Sequence, residues 1–205
     1  MAVETSAPLL RMIWPDDMAE LDLAPLQGLW TVEQYLKLTN QTNQLIEFTD
    51  GVIEVLPMPT KYHQAISKIL FLALLAVVQS IDGDVFYAPL RVQVRSRKFR
   101  EPDLLLVLDK NDPRAQDEYW LGADLVMEIV SPDRPQRDTE EKPRDYAEAG
   151  IPEYWIVNPL DETITLLILR GDAYTVHGVY RRGERVASLI LDGFSVNVGQ
   201  VFDAR

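Results

Sequence analysis

The sequence predicts an α/β (α+β) fold, with a central mixed β-sheet flanked by helices in a single domain. Three observations carry this prediction. Two nearly continuous apolar runs, 104–108 and 125–130, have the pattern of strands buried on both faces. A long apolar stretch from about 62 to 79 has helical periodicity, with one face directed to a core. The C-terminal half is dense in strand and turn signals, and no internal repeat, low-complexity segment or linker divides the chain.

The elements can be justified in order. Residues 1–28, punctuated by Pro8, Pro15 and Pro25, read as an N-terminal arm, and residues 29–205 as the folded domain. Thr31 with Gln34 three residues later forms a capping box for a short helix reaching about Leu38. Strands at 44–48 and 52–56 flank Asp50-Gly51, a strong hairpin signal. Pro57 and Pro59 end the second strand. In the long helix that follows, His63, Ile66 and Leu70 share a face, and Asp82-Gly83 closes it. One strand is expected over 85–94, and the polar stretch 109–123, with Asn111-Asp112-Pro113, as an irregular loop. A second loop at 131–135 leads to a helix over 139–149, stopped by Gly150 and Pro152. Strands at 154–157, 163–169, 174–180 and 186–191 complete the sheet-rich half.

Composition narrows the chemistry. The chain has 205 residues, no cysteine and two histidines, His63 and His177. Thiol nucleophiles, zinc-thiolate sites and multi-histidine sites are therefore excluded, and any metal must rest on carboxylates and other oxygen ligands. The net charge of −12 opposes binding to a polyanion unless basic residues are clustered. One cluster exists, Arg91, Arg95, Arg97, Lys98 and Arg100, and it fits either a solvated strand and hairpin or a phosphate-facing patch. The N-terminus lacks a basic start followed by an apolar stretch. The longest apolar run, 69–78, is ten residues, about half of a bilayer span. These features lead us to expect a cytoplasmic protein with no membrane association. The proline-rich arm, with little reason to pack on its own domain, leads us to expect a homodimer.

Glu128 is the most informative residue. It interrupts an apolar strand, where an unpaired charge would cost several kcal/mol. A salt bridge to an arginine would satisfy it, and so would a metal. Asp103 shifts the balance, because it opens the preceding strand. If the two strands pair antiparallel, Asp103 comes opposite Glu128, with Leu105 and Val107 on one shared face and Val126 on the other strand beside them. Like charges directly opposite are destabilising, and a divalent cation between them removes the penalty.

Glu101-Pro102-Asp103, Glu128-Ile129-Val130-Ser131-Pro132, Lys142, Tyr146 and the run Gly150-Ile151-Pro152-Glu153-Tyr154-Trp155 together resemble the Uma-two family of restriction endonuclease-like proteins, in the PD-(D/E)XK nuclease-like superfamily. The resemblance extends upstream through Leu45-Ile46-Glu47-Phe48, Asp50-Gly51 and His63, and covers roughly residues 30–200. It implies a restriction-endonuclease-like sheet with a Mg2+ (or Mn2+) site for phosphodiester hydrolysis in DNA. Asp103 and Glu128 would be catalytic and hold the metal, and a lysine would stabilise the developing charge. The position two after Glu128, where the superfamily lysine stands, is Val130, and Lys142 on the following helix is the residue that matches instead. Pro143 after it disfavours helical geometry at Lys142. Lys142 thus reads either as the catalytic lysine or as a solvated residue paired with Asp138.

Glu47 and His63 are secondary candidates, Glu47 as a further ligand or a solvent-facing strand residue, His63 as a site residue or a core histidine. Tyr146, Tyr154 and Trp155 read as packing residues. Arg95, Arg97, Lys98 and Arg100 are the candidate nucleic-acid contacts. Two other functions share this sequence reading. One is a catalytically degenerate nuclease-fold binding or assembly module, and the other is hydrolysis of a smaller phosphoester.

Overall fold

The computed structural model describes residues 24–204. Most of the expected N-terminal arm, residues 1–23, lies outside the described residues. Two compact units divide the chain, Met1–Met58 and Pro59–Arg205.

The first unit holds a 3-10 turn, helix α1 (Val32–Thr39) and the hairpin of β1 (Ile46–Thr49) and β2 (Val52–Val55). The capping box at Thr31 is present, with Gln34 N–H donating to Thr31 Oγ1 at 3.2 Å and Thr31 N–H to Gln34 Oε1 at 2.9 Å. Asp50 and Gly51 both take positive φ, as a two-residue hairpin loop requires. Gly51 is also fixed by a close approach, since a Cβ there would meet Gly28 O at 2.4 Å. Tyr35 stacks on Phe48 and donates to the Ile46 carbonyl, tying α1 to the hairpin.

The second unit is built on a six-stranded sheet. In chain order it comprises α2 (Lys61–Val78), β3 (Asp84–Tyr87), β4 (Val92–Arg95), β5 (Lys98–Arg100), β6 (Leu104–Val107), β7 (Leu125–Ile129), a π-helical turn (Arg137–Glu141), α3 (Lys142–Glu148), β8 (Glu153–Asn158), β9 (Thr163–Arg170), β10 (Ala173–Tyr180), β11 (Arg185–Ala187), β12 (Ser195–Asn197) and α4 (Val198–Phe202). The sheet order is β10-β9-β8-β7-β6-β3. Only the central β7–β8 pair is parallel, which makes the sheet mixed. A parallel pair needs a long crossover, and residues 130–152 supply it, with the π turn and α3 inside.

Alternation along the strands sorts the core into two layers. On one face Leu104, Leu106, Leu125, Met127, Ile129 and Trp155 pack with Ile66, Leu70, Leu74 and Val78 of α2 and with the C-terminal segment. On the other, Leu105, Val107, Val126, Tyr154 and Ile156 pack with Tyr146 of α3 and with Trp120. Helix α2 is long and apolar enough to cross a membrane by length and composition, and its buried residues form the stripe that covers the sheet.

The strand expected over 85–94 is two strands. β3 pairs with β6, and β4 turns away to pair with β5. The break falls at Ala88-Pro89, where proline has no N–H to continue a ladder. The expected strand over 186–191 is the shorter β11, and β12 with α4 close the chain.

Candidate active site

The β6–β7 ladder brings Asp103 and Glu128 together. The strands are antiparallel and Leu104 pairs with Met127, so the next step of the ladder sets Asp103 beside Glu128. Asp103 is pinned there by two donors. Its Oδ2 accepts from the Ile129 N–H at 2.7 Å and lies 3.2 Å from His63 Nε2, in the first turn of α2. Asp103 Oδ1 makes no hydrogen bond among the described residues, and the side chain keeps 17% of its surface exposed.

Glu128 is deeper. Its side chain is 2% exposed, on the face of β7 that α3 covers. Oε1 accepts from Tyr146 Oη at 2.5 Å, and Oε2 lies 2.9 Å from Lys142 Nζ. The same Nζ lies 3.1 Å from Asp138 Oδ1. Lys142 therefore reaches Glu128 from the crossover. It pairs with Asp138 as well as with Glu128, and it is buried rather than solvated.

The local fold explains how Lys142 gets there. The backbone N–H of Lys142 donates to the Arg137 carbonyl, five residues back, and so closes the π turn. Lys142 itself is helical, at φ −61° and ψ −35°, despite Pro143. Helical backbone runs without a break from the π turn into α3, so Pro143 costs one intrahelical donor, and the Asp138 carbonyl five residues back accepts from the Tyr154 hydroxyl instead. Asp138, Lys142 and Tyr146 recur every four residues and form a stripe aimed at Glu128. π turns of this kind concentrate at functional sites.

Asp138 is the residue that sequence reasoning did not place in the site. It is 1% exposed, and its Oδ2 accepts from the Ser131 N–H at 3.2 Å. Its Oδ1 makes no hydrogen bond, for the Lys142 approach is an ion pair without hydrogen-bond geometry. Tyr146, expected as a packing residue, is also a donor to the site. The spacing of four around Lys142 was the available signal for both. Tyr154 donates to the Asp138 carbonyl at 2.7 Å, and burial pushes its hydroxyl well above the ordinary tyrosine range, so it stays a donor.

The electrostatics follow from burial and charge. Burial pushes Glu128 up to about 8, helped by the Asp103 and Asp138 charges and opposed by Lys142 and Tyr146. Burial also acts to raise Asp103, but the His63 hydrogen bond and charge, Lys142 and the Ile129 N–H outweigh it and hold the carboxyl below its ordinary value. His63 is disfavoured as a cation by burial, yet the Asp103 hydrogen bond and the charges of Asp103, Glu128 and Asp138 raise it. Three acidic groups thus share a poorly solvated place with three basic ones, Lys142, His63 and Arg137, the last with its Nε 3.7 Å from Asp138 Oδ1.

This donor set fits a hard divalent cation. Asp103 and Glu128 are neighbouring oxygen donors, the two contacts of Asp103 both fall on Oδ2, and Asp138 Oδ1 is a buried oxygen without a hydrogen bond. No group of three or more ligating side chains is set to hold a metal ion among the described residues. Magnesium is commonly held by one or two carboxylates, with water and substrate oxygens completing its shell.

The remaining candidates lie as follows. Glu47, in the first unit, is buried at 1% exposure on β1 opposite Glu54, rather than solvent-facing. Lys98 and Arg100 are turned onto Asp145 of α3, with Arg100 Nη2 2.7 Å from its carboxylate. Arg95 Nε lies 3.3 Å from Glu148. Arg97 is exposed in the β4–β5 turn.

Comparison with solved structures gives the same fold. A "putative nuclease belonging to DUF820" from Anabaena variabilis ATCC 29413 superposes with a TM-score of 0.72 at 20% identity, covering 85% of this chain and 98% of that one. No curated protein matches the chain. The Uma2 family, described as "Putative restriction endonuclease", matches residues 32–199, and the chain belongs to that family.

Proposed function

We propose that this chain is a Mg2+- or Mn2+-dependent nuclease that hydrolyses phosphodiester bonds in DNA, with its centre at Asp103, Glu128 and Lys142. The observation that carries the reading is Lys142 Nζ at 2.9 Å from Glu128 Oε2, with Asp103 on the adjoining strand. Two carboxylates and a lysine lying together support the reading, with the lysine supplied by another element.

In this reading Asp103 and Glu128 hold the cation. When bound, such a cation polarises a phosphoryl oxygen and lowers the pKa of a bound water. Ile129 N–H and His63 fix the direction of the Asp103 carboxylate, and Tyr146 fixes that of Glu128. The Lys142 ammonium, held in a low-dielectric pocket, stabilises negative charge developing on the phosphoryl group. Arg97, exposed beside this unit's basic stretch, meets the backbone of the nucleic acid.

Incubation of supercoiled plasmid with Mg2+ or Mn2+ tests the reading. Nicking or linearisation by the wild type, abolished in Asp103→Ala, is expected. No cleavage with either metal, or equal cleavage by Asp103→Ala, would overturn it.

A second reading, a nuclease fold retained as a binding or assembly module, is favoured by one observation. Both Glu128 oxygens already have partners, Tyr146 and Lys142, as in a finished structural network. Calorimetry separates the two, since a module of this kind shows no Mg2+ binding that depends on Glu128.

A further inference from the structure

We propose that Asp138 is a positioning residue of this site, one that takes over Lys142 when Glu128 ligates a cation. The inference rests on the metal-dependent reading above and adds a residue to it.

Lys142 is shared between two carboxylates. Its Nζ is 2.9 Å from Glu128 Oε2 and 3.1 Å from Asp138 Oδ1, and all three side chains are at most 3% exposed. A buried ammonium cannot be left without a counter-charge, since stranding one partner of a buried pair is strongly destabilising. Yet Lys142 and a divalent cation cannot both claim Glu128 Oε2, because their charges repel. Without a second carboxylate, Lys142 would stay on Glu128 and compete with the cation.

Asp138 removes that conflict. Its Oδ2 is held by the Ser131 N–H, so the carboxylate is fixed in place, and its carbonyl is fixed by Tyr154. Oδ1 is buried and has no hydrogen bond; Arg137 Nε approaches it only to 3.7 Å, which leaves it able to accept from Nζ. A small shift of the ammonium toward Oδ1 would turn the ion pair into a hydrogen bond. That shift frees Glu128 Oε2 while keeping the positive charge at the site. The π turn places Asp138 one four-residue step ahead of Lys142, so both ends of the exchange sit on one rigid segment. Partners of ligating side chains typically account for about 10–100-fold in metal affinity.

The test is Mn2+ calorimetry on the full chain, comparing wild type with Asp138→Asn, Asp138→Glu, Lys142→Met and the double variant Asp138→Asn/Lys142→Met. Asp138→Asn is expected to bind roughly tenfold more weakly. Asp138→Glu, which keeps the charge, should stay near wild type. The double variant should recover wild-type affinity, because the competing ammonium is gone. An Asp138→Asn affinity equal to wild type, or a double variant as weak as Asp138→Asn, would overturn the proposal while leaving the metal site intact. Absence of Mn2+ binding by the wild type would overturn the metal reading and this one with it. If Asp138→Asn does not fold, the ammonium resonance of Lys142 in the wild type decides. It should persist on saturation with Mg2+, and its loss to solvent exchange would overturn the proposal.

Discussion

Lys142 and Glu128 form a buried ion pair, 2.9 Å between Nζ and Oε2, although one residue stands on a crossover helix and the other in the middle of a strand. Each is intelligible only through the other. A carboxylate at the centre of β7 and an ammonium at the start of α3 would both be costly alone.

Replacing Lys142 by Met leaves Glu128 and Asp138 buried without their shared cation. Loss of one partner of a buried pair costs about 3–5 kcal/mol. Chemical denaturation should show a loss of that order in metal-free protein. Added Mn2+ should restore part of it, since a ligand of the native state stabilises by mass action.

Tyr146→Phe removes one donor to Glu128 and leaves the ring beside Tyr154, their centroids 5.3 Å apart. Hydrogen bonds to charged groups contribute about 1.5–3 kcal/mol, so a stability loss in that range is expected. Plasmid cleavage should fall as well, because the Glu128 carboxylate is then free to turn. A variant with unchanged stability and unchanged cleavage would show that this bond does nothing for the site.

The metal-free protein should lose stability as pH rises from about 5 to 8. Glu128 has a folded value of about 8, above its unfolded 4.5, so the folded state holds a proton the unfolded state has released. Stability is lost progressively across that interval. His63 acts in the same direction, since its raised value means stability present below 6.5 that disappears as pH climbs through the folded value. Asp103 acts at the other end, where stability present above 3.8 is lost as pH falls through its lowered value. Thermal melts across pH should therefore decline from about pH 5 to 8, and the decline should be shallower in Glu128→Gln. A flat profile in wild type would contradict these assignments.

Much of the site was legible before the structure. The antiparallel register that sets Asp103 beside Glu128 follows from two apolar runs with acids at opposite ends, and the ladder has that register. The hairpin at Asp50-Gly51 and the cap at Thr31 are local chemistry, and local chemistry reads directly from sequence. Asp138 was legible only as a partner of Lys142 four residues on; its burial beside Glu128 was not, because that depends on a π turn that leaves no mark in the periodicity. Lys142 was half legible, since the bias imposed by Pro143 is a local preference that tertiary ion pairs override. The long strand at 85–94 failed because alternation continues across Ala88-Pro89 while pairing does not.

The basic stretch divides into structural and exposed charges. Lys98 and Arg100 share Asp145, all with side chains at most 13% exposed. Asp145→Ala should therefore destabilise by about 3–5 kcal/mol. Arg97→Gln should weaken DNA binding, reducing the salt slope by about 0.9 per lost phosphate contact. Equal salt slopes for wild type and Arg97→Gln would remove Arg97 from the interface.

The most direct measurement is a crystal structure with Mn2+, read from its anomalous scattering. The account predicts a single anomalous peak within ligand distance of both the Asp103 and Glu128 carboxylates, with Lys142 still beside Asp138. Full Mn2+ exposure with no peak there, or a peak at another site alone, would contradict it.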